Sequence, residues 1–263
     1  MKFPRSTYYK ALVRVPSNRQ LEADKFKAEI KKIWTDSKAR YGAPKIHQVL
    51  ISQGKSISLK RVQRYMIDMG LRSIVIKKFR YHSERITTDQ KKNILNRDFR
   101  TTGINQKWCT DITYIHTVRD GWTYLASVMD LHSKKIIGYA YDTSMTAELA
   151  TQAVKNACLN VKVTEGILLH SDLGTQYTSK IFEDYLSLKG IIHSFSRKGN
   201  PYDNACIESF HSVLKKEEIN HHKYSDFNAA RKVVFEYIES WYNRKRIHGA
   251  INYLTPQAAH EAA

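Results

Sequence analysis

Three carboxylates stand in sequence surroundings that ordinary surface acids lack. Asp111 lies in an apolar, β-branched run where the alternate residues Cys109, Asp111, Thr113 and Ile115 share one strand face. A carboxylate inside a buried strand must be paired or hold a metal, because an isolated buried charge is too costly to keep ionised. Asp172 follows the short apolar run Gly166-Ile167-Leu168-Leu169, at the carboxyl end of a buried strand, where α/β sites collect. Glu208 lies about a turn inside a helix introduced by Gly199-Asn200-Pro201-Tyr202-Asp203-Asn204, with Asp203 as the expected cap and Ile207, Phe210 and Leu214 as the buried stripe. Lys215, two helical turns beyond Glu208, shares its face and can point at a substrate phosphate; the two also fit an ordinary solvated pair.

Carboxylates on three separate elements suit phosphoryl transfer with two divalent cations about 3.5–4 Å apart, one for the attacking and one for the leaving oxygen. Mg²⁺ or Mn²⁺ is the expected cofactor, since hard cations prefer oxygen ligands. With 25 acidic residues in 263, spacing alone decides nothing, and the surrounding sequence must carry the inference. His170 would share the strand face of Asp172 and can either support the site or serve as a structural hydrogen-bonding group. Cys109, Cys158 and Cys206 form no CxxC pair, so neither a disulfide framework nor a zinc site is expected.

The elements that must position these groups divide the chain in two. Trp108–His116, Trp122–Asp130 and Lys135–Tyr141 read as three antiparallel strands with short turns. A helix with Ala150, Val154, Ala157 and Cys158 on one side, the buried strand before Asp172, a helix over Ser179–Leu188, a strand at Ile191–Phe195 and two longer helices complete an α/β order βββαβαβαα. The first part reads as all-α. Leu21, Phe26, Ile30, Ile33 and Trp34 mark one helix, Pro44 opens a second that Gly54 stops, and Ser58 caps a third that ends at Gly70. The tight turn between the last two makes a helix-turn-helix whose outward Lys60, Arg61, Gln63 and Arg64 can reach phosphates and base edges.

The net charge of +18 is lopsided. Residues 1–100 hold 25 Lys and Arg against 8 Asp and Glu, whereas the rest hold 18 against 17. Such an excess suits a polyanion, because phosphate contacts release condensed counterions. Lys77, Lys78 and Arg80 extend it into a linker-like stretch, and Arg244, Lys245 and Arg246, near Tyr242 and Tyr253, extend it near the C-terminus. No apolar run approaches a membrane span and the opening residues lack a signal-peptide core, so a cytoplasmic, nucleoid-associated protein is expected.

Trp108-Cys-Thr-Asp-Ile-Thr-Tyr114, His170-Ser-Asp-Leu-Gly-Thr-Gln-Tyr-Thr-Ser179 and Ser196-Arg-Lys-Gly-Asn-Pro-Tyr-Asp-Asn-Ala-Cys-Ile-Glu-Ser-Phe210 resemble the three catalytic blocks of OrfB-type insertion-sequence transposases in the integrase-core superfamily. The 35 residues between Asp172 and Glu208 equal the spacing in that superfamily's Asp-Asp-35-Glu name. Arg40-Tyr-Gly-Ala-Pro-Lys-Ile46 through Arg61-Val-Gln-Arg64 is similar to its helix-turn-helix, and Tyr242-Asn-Arg-Lys-Arg-Ile-His248 with Thr255-Pro256 to its closing segment. The resemblance implies an RNase H-like core over 106–220, a helix-turn-helix region over 1–75, a basic linker over 76–105 and a C-terminal helix with basic tail over 221–263. It makes Asp111, Asp172 and Glu208 the metal ligands and Lys215 a DNA-end contact. It also implies cleavage of element ends followed by strand transfer of the freed 3′-OH, in a homo-oligomeric synaptic complex. No sustained heptad precedes the first helix, so an upstream OrfA-like product is an expected partner, and this chain alone is expected to select element ends poorly. A nuclease or resolvase on the same fold, or a DNA-binding regulator without catalysis, are the rival readings.

The charge split predicts that residues 1–100 bind duplex DNA with a steep salt dependence while residues 106–263 bind weakly. Five phosphate contacts give a log–log slope of about −4.5. Equal slopes and affinities for the two fragments, measured by anisotropy over a salt series, would refute this division.

Overall fold

The computed structural model describes Tyr9 and residues 15–75, 92–161, 166–197 and 201–263. They fall into two compact units, Met1–Lys77 and Lys78–Ala263. In the first unit, α1 (Asn18–Asp36) is capped by the Ser17 side chain, α2 (Ala43–Ser52) has proline in its first turn, and α3 (Leu59–Asp68) is capped by Ser58. Ile30, Ile46, Leu50 and Val62 are fully buried between them. Gly54 and Gly70, at φ +76° and +65°, end α2 and α3 in left-handed backbone that glycine adopts without a Cβ clash. This unit alone holds 18 Lys and Arg against 5 Asp and Glu, so the charge asymmetry survives with the boundary at residue 77.

The second unit is built on a five-stranded sheet of order β3-β2-β1-β4-β5. Strands β1 (Lys107–Thr117), β2 (Gly121–Asp130) and β3 (Ile136–Asp142) form the antiparallel meander. Strands β4 (Leu168–Ser171) and β5 (Ile192–Phe195) add in parallel, each after a crossover helix, α4 (Ala147–Asn160) and α5 (Lys180–Leu188). One face of the sheet closes over Trp108, Val128, Ile137, Val154, Leu169, Phe182 and Leu186. Gly138 is required there, since a Cβ would stand 2.3 Å from the Ala157 backbone nitrogen on α4. Helix α6 (Ala205–Glu217) packs across β1, followed by α7 (Phe227–Phe235), which runs on as a π-helical segment, Glu236–Tyr242, and by α8 (Pro256–Glu261). The order is the βββαβαβαα arrangement expected, with α8 as a short addition. Among the described residues, no helix is long and apolar enough to cross a membrane.

Three local expectations are corrected. Strand β4 covers Leu168–Ser171 rather than 166–169, because His170 and Ser171 are buried with polar partners and apolarity alone does not mark its end. Residues 92–105 are not free linker: Leu95 is buried, and Ser194 Oγ on β5 accepts the backbone N–H groups of Ile94 and Leu95. Asp203 does not cap α6. It lies in the 3₁₀ turn Pro201–Asn204, and Asn204 is the cap position.

The C-terminal segment is fastened by two buried polar hubs. Asn243 exchanges hydrogen bonds with the backbone of Ile136 on β3. Glu217, at the end of α6, accepts from Tyr237 Oη at 2.9 Å, Trp241 Nε1 at 3.0 Å and Arg246 Nε at 3.0 Å. Glu217 and Arg246 are both buried, so removing one partner strands the other's charge, a change worth about 3–5 kcal/mol. Glu217→Ala is therefore expected to destabilise the second unit by that amount in urea unfolding; a loss below about 1 kcal/mol would show that the hub does not hold the segment.

Candidate active site

Strand β1 pairs with β4 only over Lys107–Cys109, although its pairing with β2 continues to Thr117. Beyond Cys109 the sheet opens, and Asp111 occupies that opening with its side chain 22% exposed. This location lets a carboxylate sit in a strand that is otherwise core. Asp111 Oδ1 accepts the N–H of Ile112 at 2.9 Å, and Oδ2 lies 3.3 Å from His211 Nδ1 on α6. The other ring nitrogen of His211 lies 3.4 Å from Ser127 Oγ on β2.

Asp172 is the first residue after β4. Its Oδ1 accepts the Gly174 N–H at 2.9 Å, and a Cβ on Gly174 would crowd that oxygen at 2.9 Å, so glycine belongs there. Burial pushes the Asp172 carboxyl above its ordinary value, the Gly174 N–H pulls it back in part, and the Asp111 charge raises it again. Glu208, in the first turn of α6, is raised by burial and then by Asp111 and Asp172. Thus the three sequence-predicted carboxylates act on one another from three different elements. Burial lowers the Lys215 ammonium and the Asp111 charge opposes that shift. Asp111, Thr113, Glu208, His211 and Lys215 line one open cleft of about 410 Å³. A larger groove of about 490 Å³ between β3, α4 and α7 has Glu239 as its one lining carboxylate and does not contain these groups.

The chemistry of the donor set suits a hard divalent cation: neighbouring carboxylate charges raise the Asp172 and Glu208 carboxyls, and Lys215 and Lys216 stand in the wall of the cleft that Asp111 and Glu208 line. Among the described residues, no group of three or more His, Cys, Asp or Glu side chains lies close enough together to hold a metal ion. The cysteines are free, and Cys109 is buried with its thiol pushed well up by desolvation.

Other predicted residues divide. Lys60, Gln63 and Arg64 are exposed on α3. Arg61 is not: it donates to Glu22 at 3.1 Å and Tyr65 Oη at 2.7 Å and lies against the Phe26 ring, which makes it a brace between α1 and α3. Arg244 and Lys245 are exposed, whereas Arg246 is committed to Glu217 inside the protein and leaves the set of DNA contacts. His170 is fully buried between Ser194 Oγ at 2.9 Å and Ser196 Oγ at 3.0 Å, and burial lowers it to about 4, so it is a neutral structural group joining β4 to β5. Lys77, Lys78 and Arg80 lie outside the described residues.

Sequence reasoning missed His211, although its signal was present: a histidine three residues after Glu208 on the same helix. It also missed the Asp203 clamp. Burial pushes this carboxyl up, but hydrogen bonds from Arg197 and Arg97 outweigh it and hold it well below the usual carboxylate range. Asn93 Nδ2 donates to the same group at 2.9 Å, so Asp203 ties residues 93–97 and Arg197 to the start of α6.

Comparison with known proteins places the chain in a family. Two integrase core domain models match residues 101–201 and 189–256, and an HTH-like domain model matches 22–79. The chain is 36% identical over 245 residues to the transposase for insertion sequence element IS904 of Lactococcus lactis, covering 93% of this chain and 96% of that one. It is 40% identical over 225 residues to transposase InsF for insertion sequence IS3A of Escherichia coli, covering 85% and 78%. In fold it is similar to a chain of the simian T-cell lymphotropic virus intasome in complex with PP2A regulatory subunit B56 gamma, at TM-score 0.52 and 14% identity over 89% of this chain and 75% of that one. An integrase-core sheet behind an HTH-like domain, with insertion-sequence relatives along nearly its whole length, means that the chain belongs to the IS3-family transposases.

Proposed function

We propose that the β1–α6 cleft performs metal-dependent polynucleotidyl transfer on DNA, with Asp111, Asp172 and Glu208 as ligands of two Mg²⁺ or Mn²⁺ ions. The observation that carries this reading is that Asp111, Asp172 and Glu208 are near enough for the Asp111 charge to raise both other carboxyls, with Asp111, Glu208 and Lys215 lining one open cleft. Divalent cations, when bound, neutralise the attacking and leaving oxygens of an in-line displacement. The protein groups do the rest. His211 fixes the Asp111 carboxylate against β2, and Lys215 pairs a non-bridging phosphate oxygen.

In the first displacement a water oxygen bonds to phosphorus as the P–O3′ bond at an element end breaks, leaving a 3′-OH and a 5′-phosphate. In the second, that 3′ oxygen bonds to the phosphorus of another strand, whose own O3′ departs. The exposed Lys60, Gln63 and Arg64 of α3 supply DNA contacts in the first unit, and Lys77, Lys78, Arg80, Arg244 and Lys245 add phosphate contacts. Pairing of two ends requires more than one copy, and an upstream OrfA-like product supplies further recognition.

Asp111→Asn, Asp172→Asn and Glu208→Gln are each expected to lower cutting and joining of a labelled element-end duplex by at least about 10³-fold, with non-additive losses in combination. Folding and duplex affinity are expected to stay near wild type. Near-normal Mg²⁺-dependent activity in any one variant removes that residue from the ligand set. Chelation should stop both steps and Mg²⁺ or Mn²⁺ restore them; appearance of products longer than the substrate separates strand transfer from hydrolysis.

A further inference from the structure

The β1–β2 hairpin runs on past its pairing with β4: its Ile115, Thr117 and Thr123 face is buried, and the opposite face carries exposed aromatic rings. His116 and Trp122 are direct cross-strand partners, with ring centroids 5.0 Å apart, and Tyr114 lies diagonal to Trp122 at 5.1 Å. Both contacts are edge-to-face, and Tyr114 and Trp122 remain 55% and 54% exposed. Exposed rings of this size bury well only against a partner, and here their perpendicular packing leaves ring surface uncovered.

Two further observations say what that partner is. Lys215, which lines the carboxylate cleft, holds its Nζ 4.0 Å from the centre of the Tyr114 ring, so the aromatic patch and the cleft share a phosphate-seeking cation. The hairpin tip is also rigid. The backbone N–H groups of Val118 and Arg119 donate to the carbonyls of Tyr224 and Ser225, and Asp120 accepts from the Phe227 N–H. A braced row of rings leading away from a phosphate site matches a strand whose bases are free to stack, because every base offers a π face while its phosphates follow the cations.

We infer that Tyr114, His116 and Trp122 form a stacking platform for unpaired nucleobases of the DNA strand that enters the cleft, an inference that rests on the DNA-transfer reading above. Strand rise of about 3.4 Å per residue puts Tyr114 roughly 10 Å and His116 roughly 17 Å along β1 from Asp111, on the opposite face of the strand, so a DNA strand reaches the rings around the β1 edge where Lys215 meets Tyr114. A stacked strand advances about 3.4 Å per nucleotide, so the platform meets bases at least about three to five nucleotides from the reacting phosphate.

The test is anisotropy of the full chain, without divalent metal, on a blunt duplex and on the same duplex with a five-nucleotide single-stranded tail. Trp122→Ala is expected to lose about fivefold in affinity for the tailed duplex, the lower end of what removing one base–aromatic stack does, and to bind the blunt duplex as wild type does. Trp122→Phe, which keeps a ring, should stay within about twofold on both, and a one-nucleotide tail should gain nothing from the platform. Equal affinities of wild type and Trp122→Ala on both duplexes, or equal loss on both, would overturn the inference. So would a shift in self-association of Trp122→Ala at equilibrium ultracentrifugation with tail preference intact, which would make the patch a contact between copies. If instead tail preference depends on Trp122 while Asp111→Asn still cuts DNA, the platform stands and the catalytic assignment fails.

Discussion

The docking of α6 across β1 is the constraint on which the cleft depends. Asn204 Nδ2 donates to the Thr110 carbonyl at 3.1 Å at the start of the helix, His211 lies between Asp111 and Ser127 at its middle, and Glu217 gathers Tyr237, Trp241 and Arg246 at its end. These contacts leave the helix little freedom to slide or rotate. Positions 204, 208, 211 and 215 recur at helical spacing and turn one stripe toward the cleft. The adjoining stripe of Ile207, Phe210 and Leu214 is buried. A single rotational setting thus places Glu208 and Lys215 opposite Asp111 and keeps the apolar side covered.

That setting brings like charges together, which folding alone would not favour. Burial and mutual repulsion raise both Asp172 and Glu208, and each such shift means that the ionised form is less stable here than in water. The fold tolerates them because β1 has lost its β4 neighbour at this level, leaving Asp111 and Glu208 on an open cleft and Asp172 just beyond the end of β4 rather than inside the sheet. The strain is local, and it is the condition under which a doubly charged cation is worth most to the protein. The polar groups deeper in the sheet are satisfied instead: His170 has two serine partners, and Asp130 accepts from the backbones of Asn105 and Ser133.

Periodicity in the sequence carried most of the architecture. The meander and both crossover helices were legible, and the three carboxylates proposed as ligands stood out because their neighbours formed extended blocks rather than isolated acids. Long polar side chains were not, because their partners come from distant parts of the chain. Nothing local to Arg246 indicates that Glu217, 29 positions away, takes it inside, and nothing local to Arg61 indicates Glu22 on another helix. The same holds for residues 92–105, whose few apolar positions suggest a linker until Ser194 and Asp203 claim their backbone and side chains. Where a charged residue has an apolar strand on one side and a helix start on the other, as Asp203 does, local rules offered a helix cap and tertiary pairing took the residue elsewhere.

The brace between the hairpin tip and residues 224–227 has a consequence for biosynthesis. The β1–β2 hairpin is complete in sequence at Asp130, yet Tyr224 and Arg246 follow it on the order of 100 residues later, roughly 5–20 s of translation at 5–20 residues per second. During that interval the nascent chain presents an unsupported β-edge and exposed rings, while α6 has no terminal hub to seat it. The cleft therefore comes into being late, as a property of the nearly finished chain, and ribosome-bound or prematurely terminated products carry the helix-turn-helix without an assembled cleft.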